Sequence, residues 1–155
     1  MRRPGEDINF LILFVPVLIL RPGAIINNNH LLIYRKVNDM FQKNLNTPDE
    51  TRTPPKTKIE VVNLNSHTIM RATFQPGWKW SECIKPTAGT NSCQVLHAMY
   101  VISGKMKVVM DDGAESEIGP ADAAVIPPGH DAWVIGNEPC VAIDFAAGHT
   151  YAAKV

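Results

Sequence analysis

The sequence predicts an all-β domain over residues 57–155, placed behind an N-terminal extension of different character. Three observations lead there. Short runs rich in Val, Ile and aromatic residues recur roughly every 8–12 residues with turn formers between them, the pattern of a sandwich or barrel. No segment beyond residue 57 keeps a helical period for three turns. Asp112-Gly113 sits between two of the runs, where a tight hairpin needs the positive φ that glycine accepts.

In chain order, the predicted strands are "IEVVNL", "TIMRATF", "WKWSECI", "HAMYVIS", "MKVVM", "ESEI", "AAVIP", "AWVI" and "CVAIDF". Gly104 marks a reversal inside "ISGKMKV". Pro127, Pro128 and Gly129 fix a turn ahead of "AWVI". Antiparallel strands of this length bury one face each around a shared interior.

Residues 1–56 read otherwise. Residues 8–20, "INFLILFVPVLIL", are almost wholly apolar but fall short of the ~20 residues that span a bilayer. The apolar run reaches residue 26 only by burying Arg21. Arg2 and Arg3 precede it as in a signal peptide, yet Glu6 and Asp7 interrupt that region and no A-x-A cleavage site follows. The polar, Asn-, Thr- and Pro-rich stretch "NLNTPDETRTPPKTK" has the composition of a linker. The expectation is a poorly ordered extension over residues 1–39, with a membrane-associated segment at residues 8–26 as the alternative.

Composition narrows the function. Lys plus Arg and Asp plus Glu each number 15, so no basic surface points to nucleic acid. Cys83, Cys93 and Cys140 are odd in number and form no CxxC pair, which speaks against a secreted disulfide framework. Reduced thiols in a cytoplasmic protein are expected, with Cys140 as a small core residue in "CVAIDF".

"YVISGKMKVVMDDG" followed by "GPADAAVIPPGHDAW" resembles the small single-domain cupins, over roughly residues 58–147. The resemblance implies a cupin-like antiparallel β-barrel or jelly roll, and a metal held by histidines and a carboxylate from two motifs. Aligned on Pro127 and Gly129, the second motif has Ala121 at its first glycine, Ala132 at its histidine and Gly136 at its asparagine. Aligned on Gly104, the first motif has His97 at its glutamate and Asn91 and Cys93 at its two histidines. Counting forward from Gly77 gives Cys83 and Lys85 instead, and a loop insertion in "PTAGTNSCQVL" accounts for the disagreement. The usual metal tetrad is therefore absent.

Two uses of the interior follow. One is a small-molecule pocket lined by Trp78, Trp80, Glu82, His97, Met99 and His130, with Trp78 and Trp80 on one face of a strand. Glu82 and His97 are expected to favour each other's charged forms there. The other is a divalent transition metal on a non-standard set, Cys83, Cys93, His97 and His130 with Glu82 nearby, which suits zinc. His130 reads first as a turn residue paired with Asp131; its alternative, from strand parity with Ala132, is to face inward at the rim of the pocket. Three functions stay open: a small-molecule binder, a metal-dependent isomerase, epimerase or dioxygenase, and a structural homodimer built on sheet edges.

Overall fold

A computed structural model describes residues 40–153. Among them, no helix is long and apolar enough to cross a membrane. The apolar segment at residues 8–26 and both readings of it lie outside the described residues.

The chain forms β1 (Glu50–Arg52), β2 (Thr57–Leu64) and β3 (His67–Phe74), then two short helices, α1 (Trp80–Cys83) and α2 (Lys85–Ala88). It continues through β4 (His97–Ser103), β5 (Lys105–Met110), β6 (Glu115–Ile118), β7 (Ala123–Ile126), β8 (His130–Ile135) and β9 (Cys140–Asp144). All pairings are antiparallel, in a sheet ordered β1-β2-β3-β9-β4-β7 and a smaller one ordered β6-β5-β8.

Alternation along β3, β4, β8 and β9 sends one face of each inward. Met70, Ala72 and Phe74 of β3, Met99 and Val101 of β4, and Cys140 and Ala142 of β9 are buried from the larger sheet. Met106 and Val108 of β5 and Ala132 and Val134 of β8 meet them from the smaller one, in a single core. Fully burying each Val, Met or Phe among these is worth on the order of 1.5–3 kcal/mol.

Two turns carry the chain as the sequence predicts. At Gly104, where φ is 70°, the chain leaves the larger sheet for the smaller, and a Cβ there would stand 2.3 Å from the Pro139 carbonyl oxygen. Only glycine fits. At Gly113, φ is 90°, and the Met110 carbonyl accepts its N–H at 2.9 Å to close the β5–β6 hairpin.

Two expectations are corrected. "WKWSECI" is not a strand but one bridge residue followed by helix: after a turn in which the Gln75 carbonyl accepts from Trp78 N at 2.9 Å, Lys79 pairs with Trp133, and the Asp131 carboxylate accepts from Ser81 N at 3.1 Å. Trp80 and Cys83, three residues apart, then share the buried side of a helical turn. The polar stretch before residue 57 also contributes a strand, β1, whose Glu-Thr-Arg sequence has no apolar alternation because it lies at a sheet edge. Ahead of β1, Arg71 donates to the Leu45 carbonyl at 3.2 Å and to Asn46 Oδ1 at 3.0 Å, fastening that segment to the sheet.

Candidate functional site

Strand parity builds the site. His97 opens β4 with its side chain inward, and Asp144 closes β9 on the same interior, beside β4 in the larger sheet. His130 opens β8 in the smaller sheet. After α2 the chain doubles back, and Cys93 pairs with His130 across an isolated bridge. Cys93 N donates to the His130 carbonyl at 2.8 Å, while the Cys93 carbonyl accepts Gly129 N at 2.7 Å. These pairings bring the Cys93 sulfur and one nitrogen each of His97 and His130 within 4.8 Å of one another, all three residues buried.

Both imidazoles are oriented from outside the cluster. His97 Nδ1 donates to Asp144 Oδ2 at 2.6 Å, and Asp144 Oδ1 in turn accepts from Ala146 N at 2.8 Å and Ala147 N at 2.9 Å. His130 Nδ1 donates to the Pro127 carbonyl at 2.7 Å. Each ring thus keeps Nε2 for the cluster; that of His97 lies 3.6 Å from the Cys93 sulfur. Tyr151 packs edge-on against His97, with ring centroids 5.1 Å apart. Arg52 holds this C-terminal segment by donating to the carbonyls of Tyr151 at 2.6 Å and Gly148 at 3.0 Å.

Electrostatics follow from that geometry. Burial opposes a thiolate at Cys93, but hydrogen bonds from His130 and His97 outweigh it and bring the thiol down to about 6. Burial likewise opposes an imidazolium at His97, yet the Asp144 carboxylate and the Cys93 sulfur hold it up at about 9. Both shifts favour a charged pair, a thiolate at Cys93 beside an imidazolium at His97 that the Asp144 carboxylate backs. Cys140, by contrast, has only burial acting on it and is pushed up to about 11, as befits an inert core thiol.

Trp78, Trp80, His97, Met99 and His130 surround one cavity, together with Met106, Ile126, Ala132 and Tyr151. It leaves about 20 Å³ for the centre of a water-sized molecule. A wider groove of about 300 Å³ runs along β5, β6 and β7 and shares the Ile126 wall.

Several expected site residues are placed elsewhere. Glu82 is exposed on α1 and does not line the cavity, so it is not the carboxylate of His97. Cys83 is buried on the same helix but outside the Cys93–His97–His130 group, because the helical turn aims it into the core. His130 does not pair with Asp131, whose carboxylate accepts from Ser81 N and Ala132 N instead. Asn91 is exposed. Counting back from Gly104 is therefore the count that reaches the site. Asp144 and Tyr151 were missed; the signal for Asp144 was an acid at the inward parity of "CVAIDF".

No family model and no curated protein matches this sequence. Among solved structures, the chain is similar to the polyketide cyclase RemF from Streptomyces resistomycificus, at 19% identity, covering 70% of this chain and 79% of that one, with a TM-score of 0.50. It is also similar to a protein of unknown function from Rhizobium leguminosarum bv. viciae 3841, at 22% identity over 70% of this chain and 97% of that one, with a TM-score of 0.49. A DUF1255 protein from Acidithiobacillus ferrooxidans NCIB8455 is 18% identical over 64% of this chain and 88% of that one, with a TM-score of 0.48. The fold is cupin-like, an antiparallel all-β barrel.

Proposed function

We propose that this cupin-like domain binds one divalent transition ion on Cys93, His97 and His130, and that the barrel interior around it takes a small molecule. The observation that carries the reading is the convergence of three buried donors within 4.8 Å. A thiolate with two imidazoles suits zinc or copper. The outer hydrogen bonds fit as well: each histidine gives its far nitrogen to an oxygen acceptor, the arrangement that orients a metal-ligating imidazole. Three protein donors, where a closed structural site uses four, are the count of a reactive centre. A bound zinc ion would supply a Lewis acid. Around it, Trp78, Trp80 and Ile126 give apolar walls, and Asp144 holds the proton on His97 Nδ1.

Zinc titration followed by gel filtration and elemental analysis tests this. About one equivalent should stay with the protein, and Cys93→Ser with His130→Ala should abolish it. Retention of the ion by the double variant would refute the assignment.

A second reading draws on the 3.6 Å sulfur–imidazole and 2.6 Å imidazole–carboxylate contacts. Cys93 then acts as nucleophile, the charged His97 as general acid, and the Asp144 carboxylate orients the ring. Iodoacetamide separates the two readings: a nucleophile reacts in the protein as isolated, whereas a ligand reacts only after chelation.

A further inference from the structure

Trp78 places an indole N–H in the core with nothing to bond. The residue is 2% exposed, and among the described residues its Nε1 is the one buried side-chain polar atom without a partner. Leaving a buried donor unmet costs ~1–3 kcal/mol, and a phenyl ring at this position would avoid that cost. Trp78 lines the 20 Å³ cavity beside the histidines of the cluster. By the same measure one water needs ~10–15 Å³, so the space exceeds a single water and stays below a drug-sized ligand.

The protein itself offers this N–H little. Met99, Met106, Ile126 and Ala132 bring no strong side-chain acceptor to the cavity wall, and Tyr151, whose phenol oxygen can accept, makes no bond to Trp78 Nε1. His97 and His130 have Nδ1 engaged outward, and the other nitrogen of each belongs to the cluster. An indole N–H only donates, so what it selects is an acceptor.

We infer that Trp78 is a specificity-determining donor, and that its Nε1–H binds the oxygen of a very small carboxylate held in this cavity beside the Cys93–His97–His130 cluster. This rests on the cavity being the binding site proposed above, and it names the ligand class. Amines of the same size, which bring donors to a donor, are rejected.

Formate, the smallest carboxylate, is the probe. The chain has three tryptophans and so three indole N–H signals in a proton–nitrogen correlation spectrum. Formate added to the zinc-loaded full chain should move one of them saturably downfield, the one that disappears in Trp78→Phe. Trp78→Phe should weaken formate binding by about tenfold or more, read from the Trp80 signal. Trp133→Phe, whose ring does not line the cavity, should leave it unchanged, and methylammonium should produce no shift. If Trp78→Phe does not fold, the wild-type titration still decides, since packing of Trp78 against Phe74, with centroids 4.3 Å apart, identifies its signal. A Trp78 signal that ignores formate, or a Trp78→Phe variant that binds formate equally well, would overturn the inference. The titration is repeated on chelator-dialysed protein: zinc failing to bind sinks the metal reading alone. A Trp78 shift in either form upholds the inference, and a shift in neither ends it.

Discussion

Asp144 governs the site through one oxygen. Its carboxylate holds the proton on His97 Nδ1, and the burial that works against its own charge is outweighed by His97 and by the Ala146 and Ala147 amides. An ion binding His97 Nε2 must displace the proton that keeps this imidazole charged up to about 9, whereas Cys93 has already lost its own above about 6. Metal affinity should therefore rise with pH by about tenfold per unit between those values, and more steeply below 6, where both protons compete. Asp144→Asn should lower zinc affinity by roughly 10–100-fold, measured by competition with a chelator of known strength. An affinity that ignores both pH and this substitution would remove Asp144 from the site. His97 and Cys93 were legible in the sequence through their offset from Gly104. For Asp144 the sequence carries only its inward parity in "CVAIDF"; that a histidine is its partner is not something spacing can reveal.

At the scale of elements, the turn between β6 and β7 carries a residue that suits it poorly. Ala121 has φ of 73°, in the left-handed region that costs an L-residue ~1–2 kcal/mol. The conformation is held by Ala121 N donating to the Val101 carbonyl at 2.9 Å and Asp122 N donating to Gly119 at 3.0 Å. The cupin resemblance has glycine at this position. Ala121→Gly should therefore stabilise the domain by about 1 kcal/mol, less what the freer unfolded chain takes back. That corresponds to a rise in Tm of roughly 4 °C by calorimetry, and a fall would mean the turn does not need positive φ. Strand positions with period-two alternation were readable from the sequence. The α1 segment was not: "WKWSEC" alternates like a strand, and what bends it into helix is Asp131, some fifty residues later, accepting from Ser81 N. β1 escaped for the opposite reason. As a polar edge strand it owes its place to β2 pairing and to the Arg52 clamp, neither of which leaves a periodic trace.

For the whole molecule, two sheets of unequal width leave one interior, and the candidate site lies where both contribute. The larger sheet supplies His97 and Asp144, the smaller supplies His130, and the return loop between α2 and β4 supplies Cys93. The expected loop insertion is thus the element that completes the cluster, through the Cys93–His130 bridge. That bridge joins residues 37 positions apart, beyond the reach of any local pattern, which is why the sequence yielded the barrel more fully than the site within it. X-ray absorption at the edge of the retained ion tests the central claim most directly. With zinc, the account predicts one sulfur at ~2.3 Å and two imidazole nitrogens at ~2.0–2.1 Å, with the sulfur lost in Cys93→Ser. A shell made only of nitrogen and oxygen, or a sulfur that survives Cys93→Ser, would contradict it.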